Sequence, residues 1–388
     1  MKYMGHKGKV LATIERAIVP YLERASCIAD PFCGSGVVSW YFATHFEKRV
    51  IAGDLQTYAA IRAASVVERT SVRTVDRALC SWFSRARRII AEFSSYFPHG
   101  SRCLDPTATS KFTVESVARS RKFCECVVPK ICNEELSKFG MLRAYGGYYF
   151  SPIQALIFDS LRQTLPESNE IRMIFLSALI DAASRCSASP GHTAQPFQPR
   201  STSLKYIEEA WNRDVWRYVS ESARNVSEKC SLKKGKVVIG DYSKCLSMLK
   251  EGDIVFADPP YSDVQYSRFY HVLETLAQGV YRDVSGVGRY PDQKFRPISD
   301  FSKRSKSLVA AKDLVECCAQ RGLTLILTFP VSTASNGLSS GDFLDLGRTF
   351  YPKVNHYEHD TYFSTLGGNG RNRYGRKLCR ESILCFAF

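Results

Sequence analysis

The tetrapeptide Asp258-Pro259-Pro260-Tyr261 follows directly on the apolar segment DIVFA. Neither proline has an N–H, so the pair cannot continue a central strand and instead forms a stiff, extended turn. The Asp258 carboxylate, a proline carbonyl and the ring of Tyr261 are then close together. This set suits a planar base whose amino group donates to the two oxygens while its ring stacks. For the tetrapeptide alone, a rigid surface turn that begins with Asp is the alternative interpretation.

A second polar turn, DPFCGSG at residues 30–36, lies between an apolar segment and a helical pattern. Gly34 and Gly36 allow a tight turn and a close approach of the backbone to a ligand. The N-terminus of the following helix offers free N–H groups to an anionic group such as a carboxylate. Asp54 ends the next predicted strand, where an acidic side chain suits the two hydroxyls of a ribose. Together these features predict a nucleoside cofactor, and the absence of a G-x-G-x-x-G run argues against NAD.

Both turns lie at the carboxyl ends of predicted strands in an alternating strand–helix pattern, which is typical of a doubly wound, Rossmann-like α/β sheet. Strands that end in Asp at one edge of such a sheet form a crevice for a ligand. The predicted strands are residues 26–30, 49–54, 236–241, 253–258, 324–329 and 382–388.

Residues 61–234 interrupt this pattern with basic helical segments, a strongly apolar helix and the aromatic run YGGYYF. We expect 1–60 and 235–388 to form the catalytic core. The segment 61–234 is expected to form a mostly helical insert, either as a separate domain or as a cap over the crevice. The tyrosines of YGGYYF are either a stacking set or part of the core, and core packing is favoured.

The charge of the 388-residue chain is strongly positive, with 53 Lys and Arg against 38 Asp and Glu and a net charge of +15. This excess favours an anionic polymer as partner, because each phosphate that is neutralised releases counterions. The alternative is that the charge only keeps the protein soluble.

The 14 cysteines are expected to be reduced and mostly buried. The N-terminal MKYMGHKGKV has no apolar signal segment, and no apolar run reaches the ~20 residues that cross a bilayer, so a cytoplasmic protein is expected. A zinc site of Cys124, Cys126 and Cys132 with Cys103 or His99 matches no paired C-x-x-C spacing, and no metal is predicted.

The pairing of DPFCGSG with ADPPY resembles the N6-adenine DNA methyltransferases of the Dam-like, alpha-ordered group. The N-terminal MKYMGHKGKVL is similar to the family's aromatic-x-Gly-x-Lys segment, which lies against the cofactor. GDYSKCL at 240–246 resembles the strand end that contacts the cofactor's adenine, and 260–276 resembles the stretch after the catalytic turn. Ser335-Asn336-Gly337 and the terminal RESILCF are similar to late core motifs.

This resemblance covers about residues 1–60 and 235–388. It does not cover the middle, which in the family carries target recognition. His6 and Cys33 depart from the usual choices, but neither departure removes a group that the chemistry needs.

The resemblance implies an S-adenosylmethionine-dependent enzyme with a Rossmann-like sheet, which methylates a flipped-out adenine in DNA. Asp258 and the Pro259 carbonyl would hold the target amine, Pro260 would complete the turn and Tyr261 would stack on the base. Two acceptors that draw the delocalised lone pair towards the methyl sulfonium allow a direct in-line transfer, so no cysteine nucleophile is required. The implied cofactor-binding residues are Tyr3, Lys7, Asp30, Pro31, Phe32, Gly34, Gly36, Asp54, Asp241 and Tyr242.

Candidate DNA contacts lie in two loops. The late loop GGNGRNRYGRK at 367–377 is rich in glycine and basic residues, which suits a DNA backbone. Gln195, in the polar loop SPGHTAQPFQPR, is suited to the edge of an adenine. The predicted DNA-binding residues are Gln195, Arg371, Arg373, Arg376 and Lys377.

Two alternatives from other classes stay open. One is an RNA adenosine methyltransferase on the same core, against which Asp258 argues, since RNA enzymes of this chemistry more often carry Asn there. The other is a catalytically idle DNA-binding module, which the intact turns disfavour. A cognate restriction or defence protein is a possible partner of the methyltransferase.

Overall fold

The computed structural model describes residues 7–96, 104–108, 112–132, 138–364 and 376–388. Within these residues the chain divides into two compact units. The sheet unit lies within Tyr3–Ser71, Lys229–Ser267 and Pro297–Phe388, and the helical unit within Val72–Glu228 and Arg268–Arg296.

The strands of the described residues are, in chain order, β1 Cys27–Asp30, β2 Arg49–Asp54, β3 Lys236–Ile239, β4 Ile254–Ala257, β5 Val284–Ser285, β6 Tyr290–Pro291, β7 Thr324–Pro330, β8 Lys353–Ser364 and β9 Arg376–Ala387.

The α-helices of the described residues are α1 Leu11–Ile18, α2 Val37–His45, α3 Thr57–Val67, α4 Asp76–Ser95, α5 Val114–Lys122, α6 Val128–Cys132, α7 Gly140–Tyr145, α8 Pro152–Gln163, α9 Asn169–Cys186, α10 Leu204–Trp211, α11 Val215–Ser227, α12 Ser243–Leu246, α13 Tyr266–Phe269, α14 His271–Gln278, α15 Ser307–Gln320 and α16 Ser340–Phe350. None of the described helices is long and apolar enough to cross a membrane.

The sheet unit contains a sheet with the strand order β3-β2-β1-β4-β7-β9-β8. Strands β3, β2, β1, β4 and β7 are parallel, and β9 runs antiparallel to both β7 and β8. The chain proceeds from β1 outward to β3 and then returns to β4 on the other side of β1. The space between the carboxyl ends of β1 and β4 is therefore the topological switch point, where ligands bind in doubly wound sheets.

The Rossmann-like α/β fold and its six predicted strands are confirmed. β1, β4 and β7 are buried along their whole length, as expected for parallel strands with helices on both faces. The sequence analysis missed β8 and predicted only the last part of β9. The described side chains of β8 are mostly exposed, so this edge strand lacks the apolar signal on which strand prediction depends.

The helical unit packs its helices around large aromatic side chains. Trp82 of α4 is fully buried and stacks on Phe175 of α9, with 4.5 Å between the ring centroids, and its Nε1 donates to the Leu161 carbonyl at 2.9 Å. Tyr145 and Tyr149 are also fully buried, which confirms that they belong to the core.

The two units differ in their bounds from the expected core and insert. Helix α3 and residues 229–234 lie in the sheet unit, while α14 and the β5–β6 hairpin lie in the helical unit. That the helical unit carries target recognition remains a prediction.

Trp82→Ala is expected to lower the free energy of unfolding by about 3–5 kcal/mol, because it opens a large cavity in the helical unit. Trp82→Phe, the matched control, keeps an aromatic ring against Phe175 and loses the indole hydrogen bond, so its loss should be smaller, roughly 1–2 kcal/mol. Urea unfolding followed by circular dichroism measures both. Equal losses in the two variants would contradict this account of the core.

Candidate active site

A cavity of about 720 Å³ lies in the sheet unit, at the carboxyl ends of β1, β2, β3 and β4. This volume is typical of a pocket for a small organic ligand. The cavity brings together most of the residues predicted for the cofactor and the target base. Those that line it are Lys7, Asp30, Pro31, Phe32, Gly34, Asp54, Asp241, Tyr242, Asp258, Pro260 and Tyr261.

The glycine turn after β1 is fixed by the end of β2. Gly34 has a φ of +47°, and its N–H donates to Oδ2 of Asp54 at 2.9 Å. Gly36, with a φ of +79°, caps the N-terminus of α2 and lies against α3, where an added Cβ would be 3.3 Å from the Ala63 nitrogen. Gly36 thus sets the position of α2 through packing, and it is not among the residues that line the cavity.

Asp30, at the end of β1, is almost fully buried in the wall of the cavity. Its Oδ2 accepts from the Ser39 hydroxyl at 2.5 Å, whereas its Oδ1 makes no hydrogen bond within the described part of the chain. The pKa of Asp30 is raised to about 7, chiefly by burial and also by the nearby carboxylates of Asp258 and Asp54. A cationic donor in the cavity would relieve both the desolvation and the repulsion.

An aromatic cluster forms another wall of the cavity. Phe32 meets Tyr242 and Phe301, with ring centroids 5.8 Å and 5.5 Å away. The Tyr242 hydroxyl donates to Asp313, which holds the ring in place. Asp241 beside it is exposed and accepts from the Ser243 N–H at 3.1 Å. Flat apolar rings next to an exposed carboxylate suit a nucleoside base with a polar edge.

Asp258, directly after β4, is held through one oxygen. Its Oδ1 lies 3.0 Å from Nζ of Lys7 and accepts from the Thr328 hydroxyl at 2.9 Å. The contacts that the described residues make to the Asp258 carboxylate thus fall on Oδ1, and the carboxylate lines the cavity. Lys7 also contacts Glu381 of β9 at 2.5 Å. The acceptor that was predicted to face the target amine is therefore fixed in orientation and still has one oxygen for a ligand.

The charged groups around Asp258 shift its pKa in opposite directions. The pKa of Asp258 is raised to about 6: burial is the largest cause, Lys7 opposes the rise, and Glu381 adds to it. Burial also opposes the charge on Lys7, yet the two acids outweigh this effect and raise the pKa of Lys7 above its ordinary value. At neutral pH we therefore expect a charged Lys7 beside a largely ionised Asp258.

The diproline turn is held in place by the loop after β7. Nδ2 of Asn336, a fully buried side chain, donates to the carbonyls of Pro260 at 3.2 Å and Phe301 at 3.0 Å. Pro259 is buried and is not among the lining residues. The Tyr261 ring lies edge-on to Phe329, with 6.3 Å between the centroids, and forms part of the cavity wall.

Comparison with known proteins identifies the family of this chain. The family model described as D12 class N6 adenine-specific DNA methyltransferase matches residues 3–87 and 137–306, which is more than half of the chain. The chain belongs to the D12 class N6 adenine-specific DNA methyltransferase family. The predicted resemblance to adenine DNA methyltransferases is thereby confirmed.

Two similar proteins are named modification methylases. The modification methylase LlaI of Lactococcus lactis subsp. lactis is 22% identical over 96% of this chain and 53% of its own length. The modification methylase StsI of Streptococcus sanguinis is 33% identical over 81% of this chain and 42% of its own length. The D12-class chain thus spans about half the length of the curated relatives that it matches.

The structure does not describe every predicted site residue of this D12-class chain. Tyr3, Arg371 and Arg373 are outside the described residues. Arg376 and Lys377 belong to β9, where their backbone pairs with Ser364 and Phe363 of β8. The described residues contain no cluster of acidic, His or Cys side chains that could hold a metal, while Cys103 and His99 of the considered zinc site lie outside the described residues.

Gln195 lies in the helical unit, exposed on an ordered loop. Next to it, the Thr193 N–H donates to the Phe269 carbonyl at 2.7 Å, and the Thr193 carbonyl accepts from the Tyr149 hydroxyl at 2.6 Å. The loop is thus attached to the core on one side and presents Gln195 to solvent on the other. Its contact with a base remains a prediction.

Sequence analysis missed two residues around Asp258: Thr328 of β7, which donates to it, and Glu381 of β9, which contacts Lys7. The signal for Glu381 was an acid next to the apolar run ILCFAF, where a buried charge must have a partner. The sequence does not say which cation that partner is.

Asn336→Ala is expected to lower the free energy of unfolding by roughly 1–3 kcal/mol, because it leaves two buried carbonyls without their donor. The exposed neighbour Ser335, whose hydroxyl accepts from the Asp263 N–H, provides the control Ser335→Ala, which should cost less. Urea unfolding of both variants measures the difference. An Asn336→Ala variant as stable as Ser335→Ala would show that this side chain does not support the turn.

Proposed function

We propose that this protein transfers a methyl group from S-adenosylmethionine to the N6 atom of an adenine in DNA at a specific sequence. One observation carries the proposal. A single cavity joins the buried acid Asp30, which has an oxygen without a partner, to the Asp258 turn, which offers a fixed acceptor. Membership of the D12 class supports the choice of adenine and of DNA over RNA.

The lining residues fit S-adenosylmethionine, which when bound supplies an electrophilic methyl group on a sulfonium. Oδ1 of Asp30 would accept from the ammonium of its methionine part. Asp54, which already fixes the glycine turn, would take the ribose hydroxyls. The rings of Phe32 and Tyr242 would flank the adenine, and Asp241 would accept at its edge.

The Asp258 turn would hold the target base. Oδ2 of Asp258 and the carbonyl of Pro259 accept the two hydrogens of the exocyclic amine, and these bonds draw its lone pair away from the ring. Tyr261 stacks on the base, which must leave the helix to enter the cavity. Lys7 and Thr328 keep the Asp258 carboxylate in the orientation that this contact requires.

The helical unit would carry target recognition, with Gln195 at a base edge. Arg371, Arg373, Arg376 and Lys377 would contact phosphates, in keeping with the net charge of +15. The names of the two relatives favour a role in DNA modification next to a cognate restriction enzyme.

The affinity for S-adenosylmethionine should fall as the pH drops below about 7, since the raised pKa of Asp30 makes the free carboxylate protonate there and a protonated acid does not attract an ammonium. Asp30→Asn should raise the Kd by about ten- to a hundredfold and remove this pH dependence. Asp263→Asn, at an exposed acid near the turn, is the control. Calorimetric titration between pH 5.5 and 8.5 (roughly one and a half units to either side of the midpoint) tests this. An unchanged Kd in Asp30→Asn would exclude the assigned role.

Transfer of tritium from labelled S-adenosylmethionine to unmethylated DNA tests the reaction itself. Label is expected in N6-methyladenine and should be lost in Asp258→Ala, while Asp263→Asn should retain it. Label in cytosine would contradict the assignment of the base. Label in structured RNA but not in DNA would contradict the assignment of the nucleic acid.

A further inference from the structure

Glu381 is a buried acid with no assigned part in the proposed reaction. Its side chain and that of Lys7 are each 5% exposed, and its Oε1 lies 2.5 Å from Nζ of Lys7. A buried carboxylate requires a partner, so the contact with Lys7 stabilises Glu381. Because of this contact, Lys7 is paired with two acids at once, Asp258 and Glu381.

The register of the sheet explains why these groups meet. Ala257 of β4 pairs with Leu327 of β7, so the next residues, Asp258 and Thr328, are neighbours. Pro330 of β7 pairs with Glu381 of β9, and because side chains alternate along a strand, Thr328 and Pro330 point to the same face. The antiparallel direction of β9 places Glu381 at the edge where β4 ends.

The ionised group of Lys7, Asp258 and Glu381 has a net charge of −1. If Lys7 had Asp258 as its sole acidic partner, it would neutralise that carboxylate and weaken it as an acceptor. With Glu381 present, Lys7 still fixes Oδ1 of Asp258 at 3.0 Å, while the negative charge of the group is retained. Asp258 in turn raises the pKa of Asp30, which also lines the cavity.

We propose that Glu381 is a positioning residue for the methyl transfer, which keeps Asp258 a strong acceptor by sharing the charge of Lys7. The inference rests on the proposed function. As the bond from N6 to the methyl carbon forms and the carbon–sulfur bond breaks, the positive charge passes from sulfur to N6. Asp258 accepts one N6 proton, which restores a neutral amine, and later releases this proton to water. The net negative charge that Glu381 maintains favours both events.

Glu381→Gln removes the charge but keeps the shape of the side chain. In wild type, the single-turnover rate at saturating S-adenosylmethionine should fall as the pH drops through about 6, where Asp258 becomes protonated. In Glu381→Gln this decline should move to lower pH by about one unit, because the acid that raised the pKa of Asp258 is gone. The rate on the plateau should fall about tenfold, because a weaker base accepts the proton less well, and KM should be unchanged.

Glu358→Gln is the matched control, since Glu358 lies on β8 and forms a salt bridge with Arg380 at the surface. It should keep both the rate and the pH profile of wild type. A pH profile and plateau rate in Glu381→Gln equal to those of Glu358→Gln would overturn the proposal. If Glu381→Gln does not fold, Glu381→Asp, which moves the charge away by one methylene, takes its place. Its pH profile should shift in the same direction by a smaller amount. A pH profile in Glu381→Asp that equals that of wild type would overturn the proposal.

Carbon-13 NMR of the aspartate carboxyl groups in the free protein separates this inference from the proposed function. The Asp258 signal, assigned through Asp258→Asn, should titrate near pH 6 in wild type and at lower pH in Glu381→Gln. If the signal shifts in this way but no methyl transfer occurs, the proposed function fails and the control of Asp258 by Glu381 stands. If the titration is the same in both proteins, the inference about Glu381 fails whatever the activity.

Discussion

The parallel pairing of β1 with β4 places acids from two distant segments of the chain at one edge of the sheet. Ile28 pairs with Ile254, so Asp30 and Asp258 end neighbouring strands and share a cavity. Each carboxylate, together with burial, makes ionisation of the other less favourable. Positive charge and hydrogen-bond donors are therefore favoured in the cavity. The proposed cationic cofactor and the amine-bearing base would supply them.

The two turns at this edge use opposite properties of the backbone. After β1, Gly34 adopts a left-handed conformation that brings its N–H to Asp54. After β4, the two prolines restrict the chain, and the Pro260 carbonyl, which has no strand partner, is bound by Asn336. Glycine thus allows the turn after β1 to bend tightly beside the cavity. The prolines give the turn after β4 a fixed direction next to Asp258.

The sequence predicted the parts of the site that are local in the chain. Asp30 and Asp258 each follow an apolar strand directly, so their place at the carboxyl edge follows from the strand pattern alone. The contact of Lys7 with Glu381 depends on the register of β9 against β7, which local patterns do not encode. β8 was missed because its described side chains mostly face solvent, and the division of the chain into units depends on packing that no single segment reveals.

Lys7 and Glu381 are separated by 374 positions in the chain. During synthesis the lysine leaves the ribosome well before its acid, which is added 374 positions later. Until then the buried ammonium lacks half of its counter-charge, and β9 has not yet been inserted between β7 and β8. Because contacts between such distant positions form late in folding, the nascent sheet can bring Lys7, Asp258 and Glu381 together only after β9 has been translated.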